Sequence, residues 1–119
     1  MELLKIHDVS ILQLFGEISV HDVISMERLF ASLRKTQHHK VILDMGSVDH
    51  IHYRVVKKLI EEAGEFRKYR GDLKIINLNP QTKEIFRFIG ADQLLEDYEN
   101  LLEGVLSFSQ QTQGEHVYQ

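Results

Sequence analysis

Apolar and polar positions change their period several times along the chain. LLKIHD (3–8) alternates, as a half-buried strand does. VSILQLF (9–15) is denser in β-forming residues and is predicted to pair with it as a hairpin across Asp8 to Ser10, with Gly16 closing the strand. Beyond Ser19 the period lengthens. Val23, Met26, Phe30 and Leu33 recur at helical spacing. Ser19 with Asp22 three residues on forms a capping box, and Arg34 and Lys35 fall in the last turn, where cations suit the helix dipole. KVILD (40–44) is a short apolar run and reads as a buried central strand. A loop is expected next, then a helix over about 53–70. Its stripe is Val56, Leu59, Ile60, Ala63 and Phe66, with Lys57, Lys58, Glu61, Glu62 and Glu65 on the remaining surface. Lys57–Glu61 and Lys58–Glu62 are spaced to pair along it.

Gly71 is expected to end that helix. LKIINL (73–78) is a second buried strand, which makes a strand–helix–strand crossover unit. Asn79-Pro80 then opens a helix, with Asn as cap and Pro in the first position, and QTKEIFRFI runs to Gly90. Its Ile85, Phe86, Phe88 and Ile89 are more apolar residues than one core stripe needs, which leaves one aromatic free for a partner or a second copy. The stretch 94–108 starts extended and becomes a final helix. Residues 109–119 are polar and aperiodic and are expected to be a disordered tail. The expected architecture is therefore α/β. It has one domain over 1–108, an opening hairpin, a four- or five-stranded mixed sheet and about four helices.

Composition narrows what such a domain can do. The 119 residues carry a formal net charge of −4 with both signs interspersed, which argues against a nucleic-acid or anionic-membrane surface. There is no cysteine, so thiolate nucleophiles, disulfides and Cys-ligated zinc are excluded. No apolar run approaches the roughly 20 residues needed to cross a bilayer. MELLKIHD shows no basic segment followed by a long apolar run, so a cytoplasmic location is expected.

The densest chemistry lies over 44–53, where Asp44, Ser47, Asp49, His50, His52 and Tyr53 crowd together. His50 and His52 are two apart, so on an extended segment they point the same way, and Asp49 adds an oxygen. A metal site would need a third or fourth defined ligand, and no helical His-x-x-x-His spacing supplies one. Ser47 is not in a Gly-x-Ser-x-Gly elbow, and no glycine-rich phosphate loop occurs. Catalysis, a cofactor and a metal are accordingly not expected. The junction into the next helix has free backbone N–H groups and a positive dipole end, which makes it a natural place for an anion or a phosphorylated side chain.

These residues resemble the STAS domain family, the fold of bacterial anti-sigma factor antagonists. In that family a central strand ends in an Asp-Leu-Ser-Gly-Val-like turn, followed by an Asp-Ser-Ser-Gly-Leu-like helix opening. DMGSVDHIHYRVVKKL (44–59) lines up with it without gaps. Asp44 matches the strand-end Asp, Val48 the apolar residue of the turn and Ile51 the one before the helix. GEIS (16–19) resembles the family's Gly-x-Leu-Asp opening of its first helix, with Ser19 where Asp is usual. NPQTKEIFRFIG (79–90) resembles the stretch leading to a helix that ends in Gly. The likeness spans about residues 3 to 108.

One departure stands out. Where the family has Asp-Ser-Ser-Gly, this chain has His52, Tyr53, Arg54 and Val55, so the family's phosphorylated serine falls on Arg54. Arginine has no hydroxyl to accept a phosphoryl group, and its charge is fixed and opposite to a phosphoserine's. The resemblance implies a non-catalytic domain of bacterial signalling and transcription regulation that lacks the usual switch. Its partner would be an anti-sigma factor, a related serine kinase or another regulatory protein. The residues expected to meet that partner are Ser19, Asp22, Asp44, Ser47, Asp49, His50, His52, Tyr53, Arg54, Lys57 and Lys58, with a homodimer left open. Two alternatives stay in view: an accessory subunit docking on a membrane transporter's ATPase, and a metal- or ligand-binding module using His50 and His52.

Overall fold

The structure is a computed structural model that describes residues 1–117, with side chains described through Ser109. Five strands form one sheet in the order β1-β2-β3-β4-β5. They are β1 (Glu2–Ile6), β2 (Val9–Ile18), β3 (Lys40–Ile51), β4 (Asp72–Ile76) and β5 (Asp97–Tyr98). Only the β1–β2 hairpin is antiparallel; β2–β3, β3–β4 and β4–β5 are parallel. The helices are α1 (Val23–Lys35), α2 (Tyr53–Arg67), α3 (Pro80–Ile89) and α4 (Leu101–Val117). The mixed sheet, hairpin and four helices are those expected.

Both faces of the sheet are covered, which explains why its middle strands lack polar alternation. On one face Leu12, Leu14, Leu43 and Ile75 pack against Met26 and Phe30 of α1, Leu59 and Phe66 of α2 and Phe86 of α3. On the other, Val9, Ile11, Ile42 and Ile76 meet Phe108 of α4. The predicted α1 positions Met26, Phe30 and Leu33 are buried. Each fully buried large side chain contributes about 1.5–3 kcal/mol.

Several expectations need correction. Gly16 does not close β2. It lies inside the strand with φ +71, beside a register shift, and pairing with β3 continues to Ile18. The stretch after Asp44 is not a loop, because β3 continues along β2 to Ile51. The Ser19–Asp22 capping box is present, but it opens a single 3-10 turn (Val20–Asp22) that leads into α1. β4 stops at Ile76, and Asn77 takes a left-handed conformation, φ 60.

Helix α2 ends at Arg67 rather than near 70. Arg70, not Gly71, is the left-handed residue, φ 63. Gly71 is needed for a different reason: a Cβ there would lie 1.8 Å from the His39 carbonyl oxygen. Glu62 is not on the solvated side of α2. It is buried and paired with Arg34 at 2.6 Å, and that guanidinium also lies 4.8 Å from the centre of the Phe66 ring. Lys58 therefore pairs with Glu27 and Glu61 instead of Glu62, and the expected Lys57–Glu61 pair does not form. Of the tail expected over 109–119, the backbone through Val117 continues α4, and 118–119 lie outside the described residues.

Candidate functional site

β3 reaches the site through two bulges. Two residue steps on β2 (Gln13 to Phe15) span three on β3 (Asp44 to Ser47), and one step (Gly16 to Glu17) spans two (Val48 to His50). Each extra residue is left outside the ladder and increases local bend. Met45, Val48 and Ile51 are buried, every third position instead of every second.

Asp44 marks where β3 parts from β4, since their pairing ends at Asp44 and Ile76. Its Oδ1 accepts from the Gly46 N–H at 2.9 Å and from Asn77 Nδ2 at 3.1 Å. This half-buried carboxylate is engaged in holding the bend, well before the start of α2. Ser47, Asp49 and His50 are exposed on the distal part of β3.

His52 is the cap of α2. Its Nδ1 accepts the Arg54 N–H at 3.1 Å, meeting one of the helix's free donors. The acceptor role requires a bare Nδ1, so this nitrogen is not available to a metal while it caps. The His52 ring also stacks on Tyr53, with centroids 4.6 Å apart. Around the Tyr53 ring stand two cations, Arg54 at 6.0 Å and Lys57 at 5.7 Å from its centre. Arg54 occupies the exposed first turn of α2, and the structure records no contact between it and Asp49.

Ser19 and Asp22 come alongside through the backbone, where the His52 N–H donates to the Ile18 carbonyl at 2.9 Å. Asp22 Oδ2 accepts from the Ser19 N–H at 2.8 Å. Lys58 faces α1 rather than this junction. The Glu61 carboxylate bonded to its ammonium raises its pKa above the ordinary lysine value. Among the described residues no group of three or more His, Asp or Glu is gathered as a metal site.

The surface includes a wall that the sequence reading did not assign to it. α3 is tied to the bend of β3 by Asn79, whose Nδ2 donates to the Val48 carbonyl at 2.9 Å while its Oδ1 caps Thr82. Between α3 and the start of α2 runs a groove of about 790 Å³, with His50, Tyr53 and Lys57 on one side and Glu84, Ile85 and Phe88 on the other. Phe88 is 93% exposed, whereas Phe86 is buried. The surplus of apolar residues in α3 was the signal for this wall, but spacing alone does not say which aromatic faces out.

Comparison with known proteins agrees with this geometry. The STAS domain profile matches residues 1–104. No curated protein sequence matches the chain. TM1081 of Thermotoga maritima has the same fold, with a TM-score of 0.84 at 14% identity over 91% of this chain and 93% of that one. An anti-sigma factor antagonist from Mycobacterium paratuberculosis superposes with a TM-score of 0.80 at 17% identity, covering 91% and 92%. The Bacillus cell fate determinant SpoIIAA, in its phosphorylated form, gives 0.68 at 17%, covering 87% and 95%. At these identities the solved structures show the fold, and the profile match over nearly the whole chain shows the family: the chain belongs to the STAS domain family.

Proposed function

We propose that this chain is a non-catalytic protein-interaction domain of bacterial signalling, of the anti-sigma factor antagonist kind, which binds its partner without a serine switch at the start of α2. The observation that carries the reading is Arg54. It stands exposed in the first turn of α2, where the family resemblance puts the phosphorylated serine. It offers no hydroxyl, and its guanidinium stays charged at any physiological pH. The neighbouring Tyr53, half exposed among His52, Arg54 and Lys57, has the amphipathic character of an interface anchor. The partner in this reading is an anti-sigma factor of the serine-kinase type or a related regulatory protein, met in the cytoplasm. Ser47, Asp49, His50, His52, Tyr53, Arg54 and Lys57 form the contact, with Ser19 and Asp22 at its edge.

Affinity capture from the protein's own cells tests this. Wild type is expected to recover a regulatory partner that Tyr53→Ala or Arg54→Ser recovers about tenfold less well, the effect of losing roughly 1.4 kcal/mol. Equal recovery of every partner by all three proteins would contradict the reading.

A further inference from the structure

The helix starts of this chain are closed by different chemistry. The turn before α1 is closed by the Ser19 hydroxyl, α3 by the Asn79 side-chain oxygen at 2.8 Å from the Thr82 N–H, and the start of α4 by Asn100 Oδ1 at 3.0 Å from the Glu103 N–H. Hydroxyl and amide oxygens go on accepting across the neutral range, because neither takes up a proton there. α2 is closed instead by a basic nitrogen, His52 Nδ1, which accepts the Arg54 N–H at 3.1 Å. Imidazole is the side chain whose charge changes between about pH 5 and pH 8. An imidazolium carries a hydrogen on both ring nitrogens and has no lone pair left to accept with. One proton therefore turns this cap from an acceptor into a donor aimed at another donor.

The same ring holds Tyr53. The two ring centres are 4.6 Å apart with their planes 27° from parallel, and Tyr53 is half exposed. A ring that turns to withdraw its Nδ1–H from the Arg54 N–H disturbs that stack. It also adds a third cation to the two already at the Tyr53 ring, Arg54 at 6.0 Å and Lys57 at 5.7 Å. Other titratable groups stand near on each neighbouring element. They are Asp49 and His50 on β3, His21 and Asp22 in the turn before α1, and Glu84 of α3, which lines the same groove as His52. Asp22 is occupied by the Ser19 N–H at 2.8 Å, and Glu84 lies 3.9 Å from Arg87. These charges govern the pH at which the proton enters, whereas the cap geometry governs what its entry does.

We infer that His52 is a proton-sensitive positioning residue: its neutral imidazole caps α2 and holds Tyr53 in place, and protonation releases both. The inference rests on the reading of the α2 start as the partner contact, and it adds a regulation to that site. The contact is organised at neutral and alkaline pH and loosened in acid. His52 acts through Tyr53 and through the first turn of α2, where the uncapped N–H of Arg54 returns to solvent. A junction whose Arg54 has no hydroxyl to phosphorylate thus keeps one reversible change of charge, at the cap of the same helix.

The test uses the full chain, labelled with nitrogen-15, with no partner added. Two-bond proton–nitrogen correlations of the histidine rings read which nitrogen of His52 is bare. At about pH 8 the ring is expected with its hydrogen on Nε2 and Nδ1 bare, and at about pH 5 with a hydrogen on both. Over the same interval the protection of the Arg54 amide against solvent exchange is expected to fall about fivefold, the factor that a lost helix cap carries. The Tyr53 ring protons should shift with the same midpoint. His52→Asn supplies a cap that does not titrate and should keep the Arg54 protection at both pH values, whereas His52→Ala should lack it at both. A neutral ring carrying its hydrogen on Nδ1 would overturn the inference, because that nitrogen could not accept. So would Arg54 protection that is equal at both pH values in the wild type, or that His52→Asn still loses in acid, which would assign the change to Asp49, His50 or Glu84. An Nδ1–H ring alongside capture that depends on Tyr53 would remove the inference and keep the proposed function. The expected ring alongside capture that neither Tyr53→Ala nor Arg54→Ser weakens would keep the proton-sensitive cap and remove the proposed function.

Discussion

Asp72 opens β4 and is buried next to Arg67, which donates from Nε at 2.9 Å, while the Leu73 N–H donates to the same oxygen at 2.8 Å. Burial raises its pKa, and this outweighs the lowering by Arg67. A carboxyl whose folded pKa exceeds its unfolded one contributes stability that is fully present below the unfolded value and is lost as pH rises through the folded value. Wild type is therefore expected to lose stability relative to Asp72→Asn between about pH 3 and pH 7, bracketing the ordinary aspartate value near 3.9. Urea denaturation midpoints of the two proteins at both pH values measure this, and a gap that moves the other way would contradict it. Single residues of this kind were the least legible in the sequence. Glu62 looked like one more surface acid on α2, because nothing in its own helix shows that Arg34 waits on another. His52 looked like a ligand or a contact residue, and its work as a helix cap depends on a rotamer that spacing does not encode.

At the scale of elements, apolar periodicity served well wherever a strand or helix was regular. α1 and α3 open as read, the first through a short 3-10 turn, and α3 ends on left-handed Gly90 as its sequence suggested. The reading failed along β3 because two bulges move the buried positions to every third residue, which neither strand nor helix periodicity describes. It also misplaced the reason for Gly71. A terminating glycine and a glycine under a neighbouring backbone look alike in sequence. Two substitutions separate such cases. Gly64, inside α2, has nothing within 4 Å of an added Cβ, so Gly64→Ala is expected to stabilise the protein by about 0.5–1 kcal/mol. Gly71→Ala would drive a methyl into the His39 carbonyl and is expected to cost about 2 kcal/mol or more. Chemical denaturation of both variants checks the pair, and equal effects would mean that the two glycines are not distinguished by packing.

For the molecule as a whole, the family and fold were legible because they rest on long regular features: the hairpin, the βαβ unit and the capped α3. The candidate surface was legible on its α2 side only. Its α3 wall depends on Asn79 reaching back to β3, a contact between segments 31 positions apart that no local pattern announces. The assembled surface places Arg54 at a helix start flanked by Ser47 on one side of the sequence and Lys57 on the other. In the proposed function this junction binds its partner without being switched by serine phosphorylation. Phosphopeptide mass spectrometry of segment 44–59 from protein isolated from its own cells, and from protein incubated with a serine-kinase partner and ATP, tests that claim most directly. An unmodified segment is expected in both samples, with Arg54→Ser gaining phosphate in the second. Phosphate on Ser47 of the wild-type protein would contradict it.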